Sequence, residues 1–447
     1  MRRSGGRCCP TSTALQRDVV AVAGECRTRA RDVHEQATAA AAHVATDATR
    51  ERARSLRGDP EMTTTDVRPA DVEDVIAAAR SAAPVLAANA GRADRDRRLP
   101  AESIAALRAA GAFALATPAR FGGLDADLPT TVRMISELGR GCPSSAWLVA
   151  VSTETQSAFT PLMSQELLAQ FYADPDTRLC GTGKPPGRGR RVADGIRVSG
   201  RWPTVSGCED APWALTPVVV GDGDGPPEVV GILVPTADLD IERTWDTVGM
   251  RATGSHTLVA EDVFVPRSRV LTLPTGPDGA PDLFPGRPAQ PLGGAVTLLA
   301  SLVGAARGAL DVVGSQLHVR KPPMTQYESL AASPGARHWF ADATHLIESA
   351  ERDLLVLAAE IDQLIAEPTL ADRDGTALRM RLNSVVRRCQ DGVDLLLDLN
   401  GAAGFALDNP VQRFWRDLHV GSRHMQFNPY LAVENHARQL ADVEVVR

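Results

Sequence analysis

The chain reads as an α+β protein in which a helical N-terminal part, a small β-rich insert of barrel or sandwich type and a C-terminal four-helix bundle follow one another. Three observations predict this. Helical spacing of apolar residues runs from Met62 to about Pro175, short β-rich runs fill residues 179 to 273, and helical spacing returns after residue 291 and lasts to the end. At 447 residues with 44% apolar side chains, the chain is long enough for two or three cores.

The first helix is expected from about Pro69, with Val72, Val75, Ile76 and Ala79 on one face. Breaks at Leu99-Pro100, Ala116-Thr117-Pro118 and Gly141-Cys142-Pro143 divide the region 62–178 into four or five helices. Strands are expected at Ile196–Val198, Trp213–Val220, Val229–Val234 and Thr257–Val265, separated by Gly, Pro and Asp turns. A Pro/Gly-rich linker over 274–291 leads into the bundle over 292–447, where Leu354, Leu355, Leu357, Ile361, Leu364 and Ile365 mark an apolar stripe.

Residues 1–61 differ from this plan. They contain no Phe, Trp or Tyr and hold three of the seven cysteines, with 11 basic against 8 acidic residues; the remainder carries 37 basic against 47 acidic. The segment is expected to be a disordered leader, or Met62 to be the true start. Cys8, Cys9 and Pro10 stand where a secretory signal needs an apolar stretch, so export is not expected.

The net charge of −7 disfavours nucleic acid or an anionic membrane as the main partner. No uninterrupted run of about 18 apolar residues is present, so no membrane span is expected. The cysteines show neither CxxC pairs nor zinc spacing, which predicts a reduced, cytoplasmic protein without a structural metal.

Gly200-Arg201-Trp202-Pro203-Thr204-Val205-Ser206-Gly207 carries the first chemical signal. If it is a regular strand, Trp202, Thr204 and Ser206 share one face, an aromatic and two hydroxyls suited to a flavin ring and its N5 edge. A core Trp beside two solvated hydroxyls is the plain alternative. Trp245-Asp246-Thr247-Val248-Gly249-Met250-Arg251-Ala252-Thr253-Gly254-Ser255 follows, and near the C-terminus Arg413, Trp415, Arg416, Asp417, His419 and His424 cluster within twelve residues. Phe121-Gly122-Gly123-Leu124 reads as a turn between helices, and Gly304-Ala305-Ala306-Arg307-Gly308-Ala309 as a small-residue helix segment that permits close packing. His318, His338, His345 and His436 read as structural.

These segments, over about residues 66 to 447, resemble the acyl-CoA dehydrogenase-like superfamily, and within it the oxygenase components of two-component flavin-dependent monooxygenases, similar to phenol and aromatic polyketide hydroxylases. The resemblance implies FMNH2 or FADH2 delivered by a separate flavin reductase, O2 as co-substrate, a C4a-hydroperoxyflavin, an aromatic substrate and a homotetramer. It implies that Trp202, Thr204, Ser206 and Arg307 bind the flavin, with Ser206 at N5. It also implies that His424 is a base towards a substrate hydroxyl, and that Trp147, His419 and Asn428 line the substrate. A histidine shortly after the Ala-Trp pair matching Ala146-Trp147 is usual in many such phenol hydroxylases; Val151-Ser152-Thr153-Glu154-Thr155-Gln156 has none.

The rival readings are an N-oxygenase of an amine or amino sugar, and an acyl-CoA dehydrogenase. Against the latter, Phe427-Asn428-Pro429-Tyr430 replaces the Tyr-Glu-Gly-Thr context of the dehydrogenase base, and His318-Val319-Arg320-Lys321-Pro322-Pro323 replaces an Arg-x-x-Phe-Gly loop. No Gly-x-Gly-x-x-Gly nicotinamide motif is present.

Overall fold

In the computed structural model, the structure describes residues 72–183, 187–221, 227–273, 284, 287–367 and 372–442. The leader expected over 1–61 and most of the linker expected over 274–291 lie outside the described residues. The order helical, sheet, helical stands as the sequence predicts.

Helix α1 (Val72–Asp96) buries Val75, Ile76, Ala79, Ala82, Leu86, Ala90 and Ala93 at intervals of three or four residues, the spacing of a single helical face. After α2 (Ala101–Ala109), the turn carrying Phe121-Gly122-Gly123-Leu124 closes on itself. A Cβ at Gly123 would lie 2.0 Å from the Thr117 carbonyl oxygen, so this position accepts only glycine. Asp127 caps α3 (Leu128–Gly141) through the Thr130 amide, and Pro143 opens α4 (Pro143–Phe159) one residue later. Helix α5 (Gln165–Phe171) then leads to the sheet.

Among the described residues there are eight strands, β1 (Leu179–Gly181), β2 (Gly187–Val192), β3 (Gly195–Val205), β4 (Trp213–Val220), β5 (Glu228–Pro235), β6 (Asp240–Glu242), β7 (His256–Pro266) and β8 (Val270–Thr272). They form one sheet in the order β6-β7-β3-β2-β4-β5-β8, with β1 parallel to β4 off this path. The β3–β7 register shifts between Trp202 and Val205, and Thr204 takes a left-handed φ of 61°. The regular alternation expected through Trp202, Thr204 and Ser206 is therefore broken at the very end of the strand.

Helix α6 (Gln290–Gln316) is the centre of the helical part and packs against α3, α4, α7 (Pro334–Ala366), α8 (Asp372–Asn400) and α9 (Pro410–Gly421); α10 (Pro429–Leu440) lies against α8. By length and mean hydropathy, 1.6 in its most apolar window, α6 could cross a membrane, but 78% of that window is buried inside the protein. Its apolarity is that of a core helix, which sequence runs alone did not single out. Leu354, Leu357 and Ile361 of the predicted stripe are fully buried against it.

The crossing of α3 and α6 depends on missing side chains. A Cβ at Gly304 would come 2.4 Å from the Ser136 carbonyl oxygen and 2.8 Å from Gly139 Cα. Gly304→Ala must therefore push two core helices apart and is expected to cost about 1–3 kcal/mol by overpacking. Gly335→Ala, which meets nothing within 4 Å, should shift stability by under about 0.5 kcal/mol. Urea unfolding of both variants checks the contrast; equal effects would show that the crossing is not tight.

Candidate active site

Three side chains singled out in the sequence converge from three elements. Trp147 lies on α4 and is nearly buried, Ser206 follows β3 and is half-buried, and His424 lies just beyond α9. The Trp147 indole N–H donates to Ser206 Oγ at 3.3 Å, and its ring meets the His424 ring edge-on with centroids 5.5 Å apart. Ser206 is held by Gly207, whose φ of 76° turns the chain and whose N–H donates to the Thr253 carbonyl at 2.8 Å. A Cβ on Gly207 would meet Leu148 at 3.1 Å.

Behind Ser206 runs a chain of hydroxyls. Ser206 Oγ lies 2.8 Å from Ser255 Oγ, Ser255 Oγ lies 2.7 Å from Thr253 Oγ1, and Thr253 Oγ1 donates to the Met250 carbonyl at 2.8 Å. A carbonyl only accepts, and each hydroxyl has one proton. Thr253 spends its proton on Met250, so Ser255 must donate to Thr253, and Ser206 to Ser255. Ser206 already accepts from Trp147, and one lone pair remains on its exposed side. It is therefore an acceptor on its free side, beside the Trp147 ring that also meets His424.

Met250 anchors the far end at a φ of 51°. Its carbonyl also accepts from the Trp245 indole at 2.8 Å, and its N–H donates to Asp417 Oδ1 at 2.5 Å. Asp417 is buried on α9, and burial pushes its carboxyl up to about 7. One buried carboxylate thus ties the helix that leads to His424 to the loop that orients Ser206.

His424 Nδ1 accepts from the Gln426 amide at 3.4 Å, capping a short helical turn. The neutral ring consequently carries its proton on Nε2. Burial lowers its pKa to about 4, so the ring is neutral throughout the physiological range. The resemblance implies a base at His424; here Nδ1 already accepts from the Gln426 amide, so the neutral ring offers a donor.

Other expected site residues go elsewhere. Trp202 is fully buried in the sheet core and donates its indole N–H to the Pro217 carbonyl at 3.1 Å, so it presents no flat face to a ligand. Thr204 is exposed, and its hydroxyl bonds the neighbouring Pro203 carbonyl; the register shift after Trp202 separates both from Ser206. Arg307 pairs with Glu137 at 3.0 Å and Glu351 at 2.9 Å and donates to Ser136 Oγ at 3.0 Å. That leaves it locked between α3, α6 and α7. His419 packs against Trp415 at a tilt of 50°, with centroids 4.7 Å apart and Asp394 at 3.5 Å. Asn428 caps α10 through the Tyr430 and Leu431 amides. Thr253, Ser255 and Asp417 were missed as site residues, although all lie inside segments the sequence marked. No group of three or more metal-ligating side chains is present among the described residues. Cys142, Cys180, Cys208 and Cys389 are buried free thiols.

The chain is similar to known proteins over most of its described length. Residues 73–166 match the family model of the acyl-CoA dehydrogenase N-terminal domain, and residues 296–429 that of the C-terminal domain. The chain is 33% identical to the oxygenase component of an FADH2-dependent resorcinol hydroxylase of a Rhizobium species over 366 residues, covering 77% of this chain and 88% of that one. It is also 33% identical to the HsaA oxygenase subunit of a flavin-dependent monooxygenase of Rhodococcus jostii, over 77% of this chain and 92% of that protein. Among solved structures, XiaF from a Streptomyces species, in complex with FADH2 and glycerol, superposes with a TM-score of 0.77 at 28% identity, covering 84% of this chain and 97% of that one.

The buried Asp417 carboxyl makes stability depend on pH with a defined sign. Its pKa is raised on folding from 3.8 to about 7, so the native state holds the extra proton between these values, and stability falls as pH rises through about 7. Asp417→Asn keeps an acceptor for Met250 and removes the charge. Measured by urea unfolding, the variant should gain on the wild type as pH is raised from about 5.5 to about 8; a difference independent of pH would contradict the assignment.

Proposed function

This chain belongs to the acyl-CoA dehydrogenase family, in the branch of flavin-dependent monooxygenase oxygenase components, and from that premise we propose that it hydroxylates an aromatic, phenol-type substrate with reduced flavin and O2. A separate reductase supplies FMNH2 or FADH2, and the working form is a cytoplasmic homotetramer. The buried free thiols agree with a reduced compartment.

The residues present fit a reduced flavin. Its N5 carries a hydrogen, and the half-buried Ser206 oxygen is an acceptor fixed in that sense by the hydroxyl chain behind it. This polarity is the observation that carries the reading. When bound, reduced flavin supplies the two electrons that convert O2 into an oxygen donor. With flavin bound, Ser206 would offer an acceptor to the N5 hydrogen, and losing that acceptor would favour release of peroxide over product. Trp147 fixes the Ser206 rotamer by its indole N–H. His424, neutral and with Nε2–H free, donates to the substrate's phenolic oxygen and stabilises negative charge there as the neighbouring ring carbon is oxygenated. The side chains that converge here include no carboxylate placed to abstract an α-proton, the step a dehydrogenase needs.

Steady-state oxidation of reduced flavin, with product and hydrogen peroxide measured together, tests these roles. Ser206→Ala should raise the peroxide share about tenfold, the value of one buried hydrogen bond. His424→Asn, which keeps an N–H donor, should retain more product than His424→Ala, and the product yield should show no histidine-controlled limb between about pH 6 and 8. An unchanged peroxide share in Ser206→Ala would overturn the assignment.

A further inference from the structure

We propose that the cavity between α3, α4, α6 and α7 receives a cationic amine arm of the substrate, with Glu154 as its counter-ion. The inference rests on the oxygenase reading above and names a substrate class within it: a phenol carrying an ammonium group remote from the ring.

Three observations carry it. The cavity encloses about 120 Å³ and is lined by the carboxyl side chains Glu154 and Asp362 together with the neutral polar residues Thr131, Thr153, Gln290 and Thr297, with no arginine or lysine. The Glu154 carboxyl is half-buried, and among the described residues no protein group donates to it or pairs with it. Burial alone raises its pKa to about 7. Room for it is made by Gly294 of α6, where a Cβ would stand 2.4 Å from Glu154 Oε1. Asp362, by contrast, accepts from the Leu128 amide at 3.4 Å. A desolvated carboxyl facing a cavity is unfavourable unless a donor fills the space. An ammonium group supplies both the charge and the hydrogen-bond donors, whereas a carboxylate arm would set a second carboxylate against Glu154.

Position connects this cavity to the reaction. Glu154 follows Trp147 by seven residues on α4, so the two share one helical face about 10 Å apart along the axis. A substrate whose ring lies against Trp147, Ser206 and His424 would have to pass a chain of about six bonds by Ala150 and Val151, both packed in the core, to set its amine against Glu154. The missing histidine in the stretch 151–156 is then explained: the helix face that elsewhere meets a phenol here carries an acid for a more distant group.

The test uses the full-length protein and three phenols bearing a para-hexyl chain that ends in an amine or a hydroxyl, or is oxidised to a terminal carboxylate. Binding is measured by calorimetry at about pH 8, where Glu154 is mostly ionised. The amine is expected to bind about tenfold tighter than the alcohol, and the carboxylate weakest. Glu154→Gln should reduce the amine preference to about twofold or less while leaving the affinity of the alcohol unchanged. Equal affinities in the wild type, or an amine preference that survives in Glu154→Gln, would overturn the proposal; the wild-type comparison needs no variant to fold. Plain phenol, assayed with reduced flavin and O2, separates the two readings. Its turnover without an amine preference sinks only the cation pocket, whereas amine preference without oxygenation of any phenol leaves the pocket and sinks the hydroxylase.

Discussion

The candidate site depends on the backbone of one residue, Met250. Its carbonyl accepts from Thr253 and from the Trp245 indole, its amide donates to buried Asp417, and its left-handed φ lets both ends be used at once. Because the carbonyl cannot donate, the direction of every hydroxyl bond from Thr253 to Ser206 is decided there. The acceptor character of Ser206 is thus set three bonds away from where it acts. The same residue links the loop before β7 to α9, and so to His424. A chain of neutral hydroxyls costs little to bury because each member is satisfied, while the titratable group, Asp417, lies at the end farthest from the substrate.

Burial acts oppositely on the titratable groups of the site. It lowers His424 and raises Asp417 and Glu154, in each case favouring the neutral form. Near neutral pH the centre thus contains a neutral imidazole and hydroxyls, with the acids kept behind it or two helical turns along. Such a centre favours donation to a developing oxyanion over abstraction of a proton.

Much of this was legible in the sequence because it is local. The switch from period 3.6 to period 2 located the sheet, and the marked segments brought Trp147, Ser206 and His424 together. What failed was non-local. Trp202 and Thr204 were expected beside Ser206, but the β3–β7 register shift is decided by the partner strand, more than fifty residues away. Arg307 could not be read as a structural cation because Glu137 stands 170 positions before it and meets it only where α3 crosses α6. Asn428 was misread for a local reason that could have been caught: an Asn followed by Pro at a helix start is a cap. Thr253 and Ser255 gave no signal of their own, since their role exists only once the Met250 turn points its carbonyl at them.

The central claim is that the hydroxyl chain, and not Ser206 alone, makes the site productive. Ser255→Ala tests it most directly, because it leaves Ser206, Trp147 and His424 untouched and frees the Ser206 proton to point outward. With reduced-flavin affinity unchanged within about twofold, the hydrogen peroxide share of oxygen consumption is predicted to rise about tenfold, as in Ser206→Ala. A peroxide share equal to that of the wild type would contradict the account.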